Sequence, residues 1–248
     1  MNKFIHLPTL IAHFDLPLKS YQIPQFRGAV AESAGWNETL FHNHLRTEIE
    51  EEDNSTNTGE LLVKKQITLK DKYVYRYPAI HYRTIRGQAG IYAIGKQGCR
   101  ALRNWLLTKT DTFYMLGRKQ ELYLNGLKED KHCLQMTERP RRYRIKNYLG
   151  LNQANFERWQ EESSMTRRLI MLEDVLVGHI LGFCESMGYQ LPEHLEVEVA
   201  MLYRSRGMKL HDTPRLAFDL DFRANIELPD GMALGKGVSH GFGVLRGL

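Results

Sequence analysis

From Met165 to Ile226 the chain carries one long amphipathic helix and then two alternating strands, each with a single apolar face. The helix stripe of Leu169, Leu172, Leu176, Ile180, Phe183 and Met187 recurs every third or fourth residue, with Ser163 or Ser164 as the cap and Gly188 as the stop. Leu195, Val197, Val199, Met201 and Tyr203 then alternate with polar positions, as do Leu216, Phe218, Leu220, Phe222, Ala224 and Ile226. Such elements are stable only when helix and strands bury those faces together, which leaves the other side of the sheet wet. Arg141 to Tyr148 alternates as well. It places Arg142, Arg144 and Lys146 on one face and Tyr143 and Ile145 on the other.

The first half predicts a related pattern. Leu7–Leu16 reads as a strand and Gln22–Ala34 as a helix. Tyr73–Ile85 and Ala89–Ile94 read as a strand pair with Arg86-Gly87 at the turn. Lys96–Thr108 is helical, with Leu102, Trp105 and Leu106 on one face, and Thr112–Leu124 is extended. Strand–helix–strand–strand–helix–strand is the ferredoxin-like order. The expectation is therefore an α+β chain of two tandem ferredoxin-like (RRM-like) modules followed by a C-terminal glycine-rich loop. The boundary falls between Gly126 and Pro140, giving modules 1–130 and 131–248. Sheets exposed on one face are common RNA platforms, although fold alone assigns no function.

Charge is distributed unevenly over the 248 residues. Between Leu61 and Gln120 thirteen Lys or Arg stand against Asp71 and Asp111 alone. A second basic cluster holds Arg139, Arg141, Arg142, Arg144 and Lys146. Such surfaces bind polyanions through counterion release, or serve simply as solvated faces. Glu48, Glu50, Glu51, Glu52 and Asp53 lead into a polar stretch that reads as a surface loop. No apolar run approaches the ~20 residues of a membrane span. The N-terminal segment, broken by Pro8 and His13, does not read as a signal peptide. Cys99, Cys133 and Cys184 form no CxxC pair, which predicts a reducing, cytoplasmic setting without disulfides or a zinc knuckle.

Six of the 20 glycines lie in the last 18 residues. Glycines spaced in this way allow close backbone approach to an anion, or serve only the turns of a terminal hairpin. Lys236, inside the loop, is placed to meet a phosphate. A dinucleotide fingerprint is excluded because no helix follows, and a P-loop because no Lys-Ser or Lys-Thr does.

The segment ALGKGVSHGFG, Ala233 to Gly243, resembles the C-terminal glycine-rich loop of the CRISPR repeat-RNA processing endoribonucleases. Gly235, Lys236, Gly241, Phe242 and Gly243 match that pattern, whereas Ala233 replaces its first glycine. FRGAVAES at Phe26, FHNH at Phe41, YRYPAIHYR at Tyr75, YLGLNQANF at Tyr148 and LEDVLVGHILGF at Leu172 extend the resemblance, in order, along most of the chain. Two departures are the acidic insert after Thr47 and His81, which stands where a glutamine is expected. The resemblance implies metal-independent cleavage of precursor CRISPR RNA within its repeats, with 5′-hydroxyl and 2′,3′-cyclic phosphate ends. It also implies delivery of guides to an effector complex. A homodimer is left open, and no cofactor is implied. The alternative is a non-catalytic subunit that only holds the repeat.

FHNH sets His42 and His44 two residues apart, on one face if the segment is a strand and within reach of one phosphodiester if it is a loop. Cleavage by the 2′-OH needs a base for its proton and an acid for the departing 5′-oxygen, and histidine fills either role near neutral pH. Read alone, the pair fits surface or hydrogen-bonded histidines as well. A histidine in this segment is the family's catalytic group, so the resemblance implies His44 as base and His42 as acid or phosphate-positioning partner. As a zinc site the pair lacks further ligands, so no metal is expected. Tyr75 and Tyr77 share a strand face with phenols that orient the histidines or stack on a base, or they are simply good strand formers. The expected RNA contacts are Arg142, Arg144, Lys146, Gly235, Lys236, Gly237, Gly241 and Gly243. His179 and Trp105 are expected to be structural.

Overall fold

The computed structural model describes residues 3–35, 38–42, 77–210 and 213–248 with their side chains, and residues 44–52 and 65–73 as backbone. Strand β1 (Phe4–Pro17) leads through a 3-10 turn into α1 (Ile23–Ala34), which has a proline in its first turn. The expected strand pair forms as β4 (Ile80–Ile85) and β5 (Gln88–Ile94), with Arg86 and Gly87 both at positive φ in the turn. Next come α2 (Gly95–Thr108) and the hairpin of β6 (Thr112–Met115) and β7 (Arg118–Glu121). Strand β8 (Leu124–Tyr148) is 25 residues long. It is followed by α3 (Gln153–Glu161), α4 (Met165–Ser186), β9 (Val197–Leu210), β10 (Thr213–Ile226) and β11 (Val244–Gly247).

Among the described residues these strands form one seven-stranded antiparallel sheet in the order β4-β5-β1-β8-β10-β9, with β11 also paired to β8. The first part of β8 pairs with β1, from Leu124 opposite Phe14 to Gln135 opposite Phe4. The remainder pairs with β10, from Met136 opposite Ile226 to Tyr148 opposite Phe218. The segment expected to contain a module boundary is thus unbroken strand, and what changes at Gln135 and Met136 is its partner.

Helices α1 and α2 cover one core, which contains Phe14, Phe26, Tyr82, Ile91 and Leu102. Helix α4 covers the other, setting Leu172, Leu176, Ile180 and Phe183 against Tyr143, Ile145, Phe218 and Phe222. Full burial of each such side chain contributes about 1.5–3 kcal/mol. Helix α4 begins as expected, with the Ser164 hydroxyl accepting from the Arg167 N–H at 3.5 Å, and Gly188 beyond its end has φ 73°.

Two expectations need correction. Tyr73–Ile85 is not one strand. β3 (Lys65–Tyr73) ends at Tyr73 and β4 begins at Ile80, and Pro78 between them has no N–H for a ladder. Glu48 to Glu52 continue β2 (His44–Glu52), which pairs with β3 so that Glu52 lies opposite Lys65, and the polar stretch expected to form a surface loop lies outside the described residues. Thr112–Leu124 folds back on itself as the β6–β7 hairpin, with Leu116 and Gly117 at positive φ, and the strand that joins the main sheet is β8.

Candidate active site

The histidine segment hangs between α1 and β4. After Gly35 ends α1, residues 39–42 form a turn that buries Phe41 against Trp105, with ring centroids 6.0 Å apart. The Tyr82 hydroxyl on β4 donates to the Phe41 carbonyl at 3.1 Å. From α1, Arg27 donates to the His42 carbonyl at 2.9 Å, a contact that no sequence motif announced. His42 is only 6% exposed. It precedes the strand that His44 opens, so the two histidines do not share one strand. The side chain of His44 and the whole of Tyr75 lie outside the described residues.

Tyr77 is described, and it does not lie on a basic strand. Its hydroxyl donates to the Ala233 carbonyl at 2.8 Å and accepts from the Ala233 N–H at 3.3 Å, while its ring meets Phe183 edge-on at 4.9 Å. Burial pushes its phenol far above the ordinary value. Tyr77 thus ties the start of the glycine-rich loop to the α4 core.

That loop is anchored along its length by its own backbone. The Lys236 N–H donates to the Leu149 carbonyl at 2.9 Å, and that of Gly243 to the Asn147 carbonyl at 3.2 Å. His240, Gly241 and Phe242 donate to Gly237 and Val238 carbonyls within the loop. These N–H groups therefore hold the loop's shape. Gly235 lies so close to the Tyr148 ring and the Leu149 carbonyl that a Cβ would stand 2.8 and 2.9 Å from them. Gly237 begins the 3-10 turn Val238–His240. Gly241, at φ 81°, brings the loop onto the N-terminal half, where a Cβ would stand 2.7 Å from Ile23 of α1 and 3.3 Å from the Tyr82 carbonyl of β4. The loop and the His42 segment therefore meet the same two elements, on either side of Tyr82.

Beneath the loop the Tyr148 hydroxyl lies 2.6 Å from His179 Nδ1. Burial, and then the Lys236 charge, push the His179 pKa down to about 4, so the ring is neutral and structural as expected. Arg142, Arg144 and Lys146 do share the outer sheet face, but Asp221, which the sequence reading missed, sits among them. Its carboxylate is 2.7 Å from Arg144 Nε and 3.0 Å from Arg142, and it accepts from the Tyr203 hydroxyl at 2.9 Å. The bond from Arg144 is the largest influence holding that carboxyl below its usual range. Two of the three cations expected to track RNA thus share one internal counter-charge. The periodicity of β10 marks Asp221 as outward-facing, and only the sheet register shows what it faces.

Residues 135–248 match the Cas6b C-terminal domain, a match that includes the entire glycine-rich loop. An uncharacterized protein of Methanocaldococcus jannaschii is 27% identical over 99 residues, covering 40% of this chain and 66%, just under two thirds, of that protein. Among solved structures, a Cas6b crystal structure aligns over 98% of this chain and 100% of its own at 22% identity, with a TM-score of 0.77. A Cas6b described as a CRISPR RNA processing endoribonuclease covers the same shares at 20% identity and a TM-score of 0.69. Csf5, a type IV Cas6 crRNA endonuclease, does so at 14% identity and 0.56. At these identities the structural likeness concerns the fold. Together with the domain match it supports the resemblance to the CRISPR repeat-RNA processing endoribonucleases that the motifs carry.

Proposed function

We propose that the chain is a metal-independent endoribonuclease that cuts precursor CRISPR RNA within its repeats. The observation that carries this reading is the convergence of the His42 segment and the glycine-rich loop on α1 and β4, around Tyr82. In the proposed step His44 takes the proton of a 2′-OH, whose oxygen bonds to the neighbouring phosphorus as the bond to the 5′-oxygen breaks. A proton delivered to that oxygen completes a 5′-hydroxyl end, and the other end is a 2′,3′-cyclic phosphate. The burial of His42 favours a positioning role for it, with the loop and Lys236 holding the RNA backbone. The strand orders support two ferredoxin-like modules, near 1–130 and 131–248. β4-β5-β1-β8 makes one and β9-β10-β8-β11 the other, with the glycine-rich loop standing where the second helix would be. Precursor CRISPR RNA is the partner, with an effector complex receiving the product in the cytoplasm, and a homodimer is compatible with this reading.

The buried position of His42 also favours a second reading, a subunit that holds the repeat without cutting it. Labelled repeat RNA incubated with the protein in EDTA and run on a denaturing gel separates the two. The endonuclease reading expects a product with a cyclic phosphate end, and a repeat that is bound but stays whole refutes it.

A further inference from the structure

Beside the C-terminal half of α4 runs a groove of about 810 Å³, walled by that helix, the segment that follows it and the start of β1. Ile5, Val177, Leu181, Leu191 and Leu195 give it an apolar lining. The Tyr189 hydroxyl fixes the β1 wall by donating to the Lys3 carbonyl at 3.1 Å. Glu185 and Glu193 line the groove as well, and no Lys or Arg among the described residues does. Neither carboxylate has an ion pair among the described residues. Helix α4 also ends here without a basic residue in its last turn, so its negative end adds to the acidic character. In a chain of net charge +5 this is a local reversal of sign.

The outer face of α4 next to the groove is bare. Leu181 is 43% exposed and Ile170 50%. On the same face Gly178 and Gly182 stand one turn apart, and a Cβ on either would meet nothing within 4 Å. Glycine is a poor helix former, so two in the middle of a 22-residue helix weaken it, and nothing among the described residues stands close enough to require them. Backbone without side chains lets another helix approach closely.

The charges choose among occupants. Two carboxylates repel RNA phosphates, and the glycine-rich loop is distant. β9 starts just past Leu195 and runs 14 residues to Leu210 beside Gly237, roughly 40 Å along the strand. A second copy docked face to face brings the same acidic rims together. An amphipathic helix with Lys or Arg flanking its apolar face meets both the lining and the carboxylates. We propose that this groove docks a basic amphipathic helix of a protein partner, its apolar side against Leu181 and Leu191 and its cations at Glu185 and Glu193. The proposal goes beyond the endonuclease reading and stands without it.

The test uses the full chain and a fluorescent synthetic helix with leucines on one face and lysines on the other. The same helix with glutamate in place of lysine is the control, and anisotropy reads binding. The native chain should bind the lysine helix, less tightly as salt rises. Glu185→Lys/Glu193→Lys should weaken that binding on the order of tenfold and tighten that of the glutamate helix. Gly178→Gln/Gly182→Gln should raise the melting temperature, because glutamine is the better helix former, and still weaken the lysine helix by a similar factor. A face with only a structural role would move stability and leave binding alone. No binding of the lysine helix, or equal binding by the native chain and either variant, overturns the proposal. Self-association of the native chain in sedimentation that the glutamine variant loses assigns the face to a second copy and overturns it too. Repeat-RNA affinity should be the same for the native chain and the glutamine variant, and a loss would put the face on the RNA path instead.

Discussion

His81, standing where the family resemblance expects glutamine, is fully buried, and its tautomer is fixed by its partners. Nε2 lies 2.8 Å from the Pro78 carbonyl, which can only accept, so Nε2 carries the proton. Nδ1 then accepts from Arg83 at 3.3 Å. Burial, and after it the Arg83 charge, push the His81 pKa down to about 3. In the unfolded chain the ring returns to about 6.5. Below pH 6.5 the unfolded state therefore gains a proton that the fold refuses. Stability from the neutral ring is complete above that pH and is lost progressively as pH falls toward 3. At pH 5 the unfolded state gains about 2 kcal/mol from this residue, against roughly 0.2 kcal/mol at pH 7. A folded pKa anywhere below about 4 leaves that difference unchanged. In His81→Gln the amide can donate to Pro78 and accept from Arg83, so both bonds survive without a titrating group. Urea midpoints at pH 7 and pH 5 give the measurement. The native chain should lose about 2 kcal/mol more than the variant between the two pH values, and any cost of losing the ring's stacking on Tyr92 cancels in the comparison. Equal losses would show that the buried ring accepts a proton, and the argument from burial would fail.

Changing His44 to Ala should slow cleavage by roughly 10²–10⁴-fold with little loss of RNA affinity, as single-turnover gels would show. A substrate lacking only the 2′-OH beside the cut should bind and stay whole. Gly243→Val should destabilise the chain by about 1–3 kcal/mol in urea, because φ is 65° and a Cβ would collide with the Leu234 carbonyl. Gly247→Val, with open space and no positive φ, should be tolerated. Arg142→Ala/Arg144→Ala strips both cations from Asp221 and should cost about 1–3 kcal/mol, moderated because water enters as the side chains leave. Adding Asp221→Ala should recover most of that loss, which a urea series would measure.

The sequence by itself determined each element whose face is a local property. The stripe from Leu172 to Phe183, the Ser164 cap, the Gly188 stop and the alternation of β10 follow from helix and strand periods, because side-chain direction depends on the few residues on either side. The same alternation put Arg142, Arg144 and Lys146 on one outward face. It also placed the histidine segment and the glycine-rich loop at opposite ends of the chain, with a resemblance to suggest that they belong together. Only the tertiary structure decided what those faces meet. Asp221 lies 77 residues from Arg144, and Ala233 lies 156 residues from the Tyr77 hydroxyl that holds it, so no local pattern could pair them. The continuity of β8 is of the same kind, because a strand that changes partner at Gln135 and Met136 keeps its own period throughout. Burial of His81 and compensation of Arg144 are likewise products of long-range register, which sets the dielectric and the neighbouring charge that each ionisable group experiences.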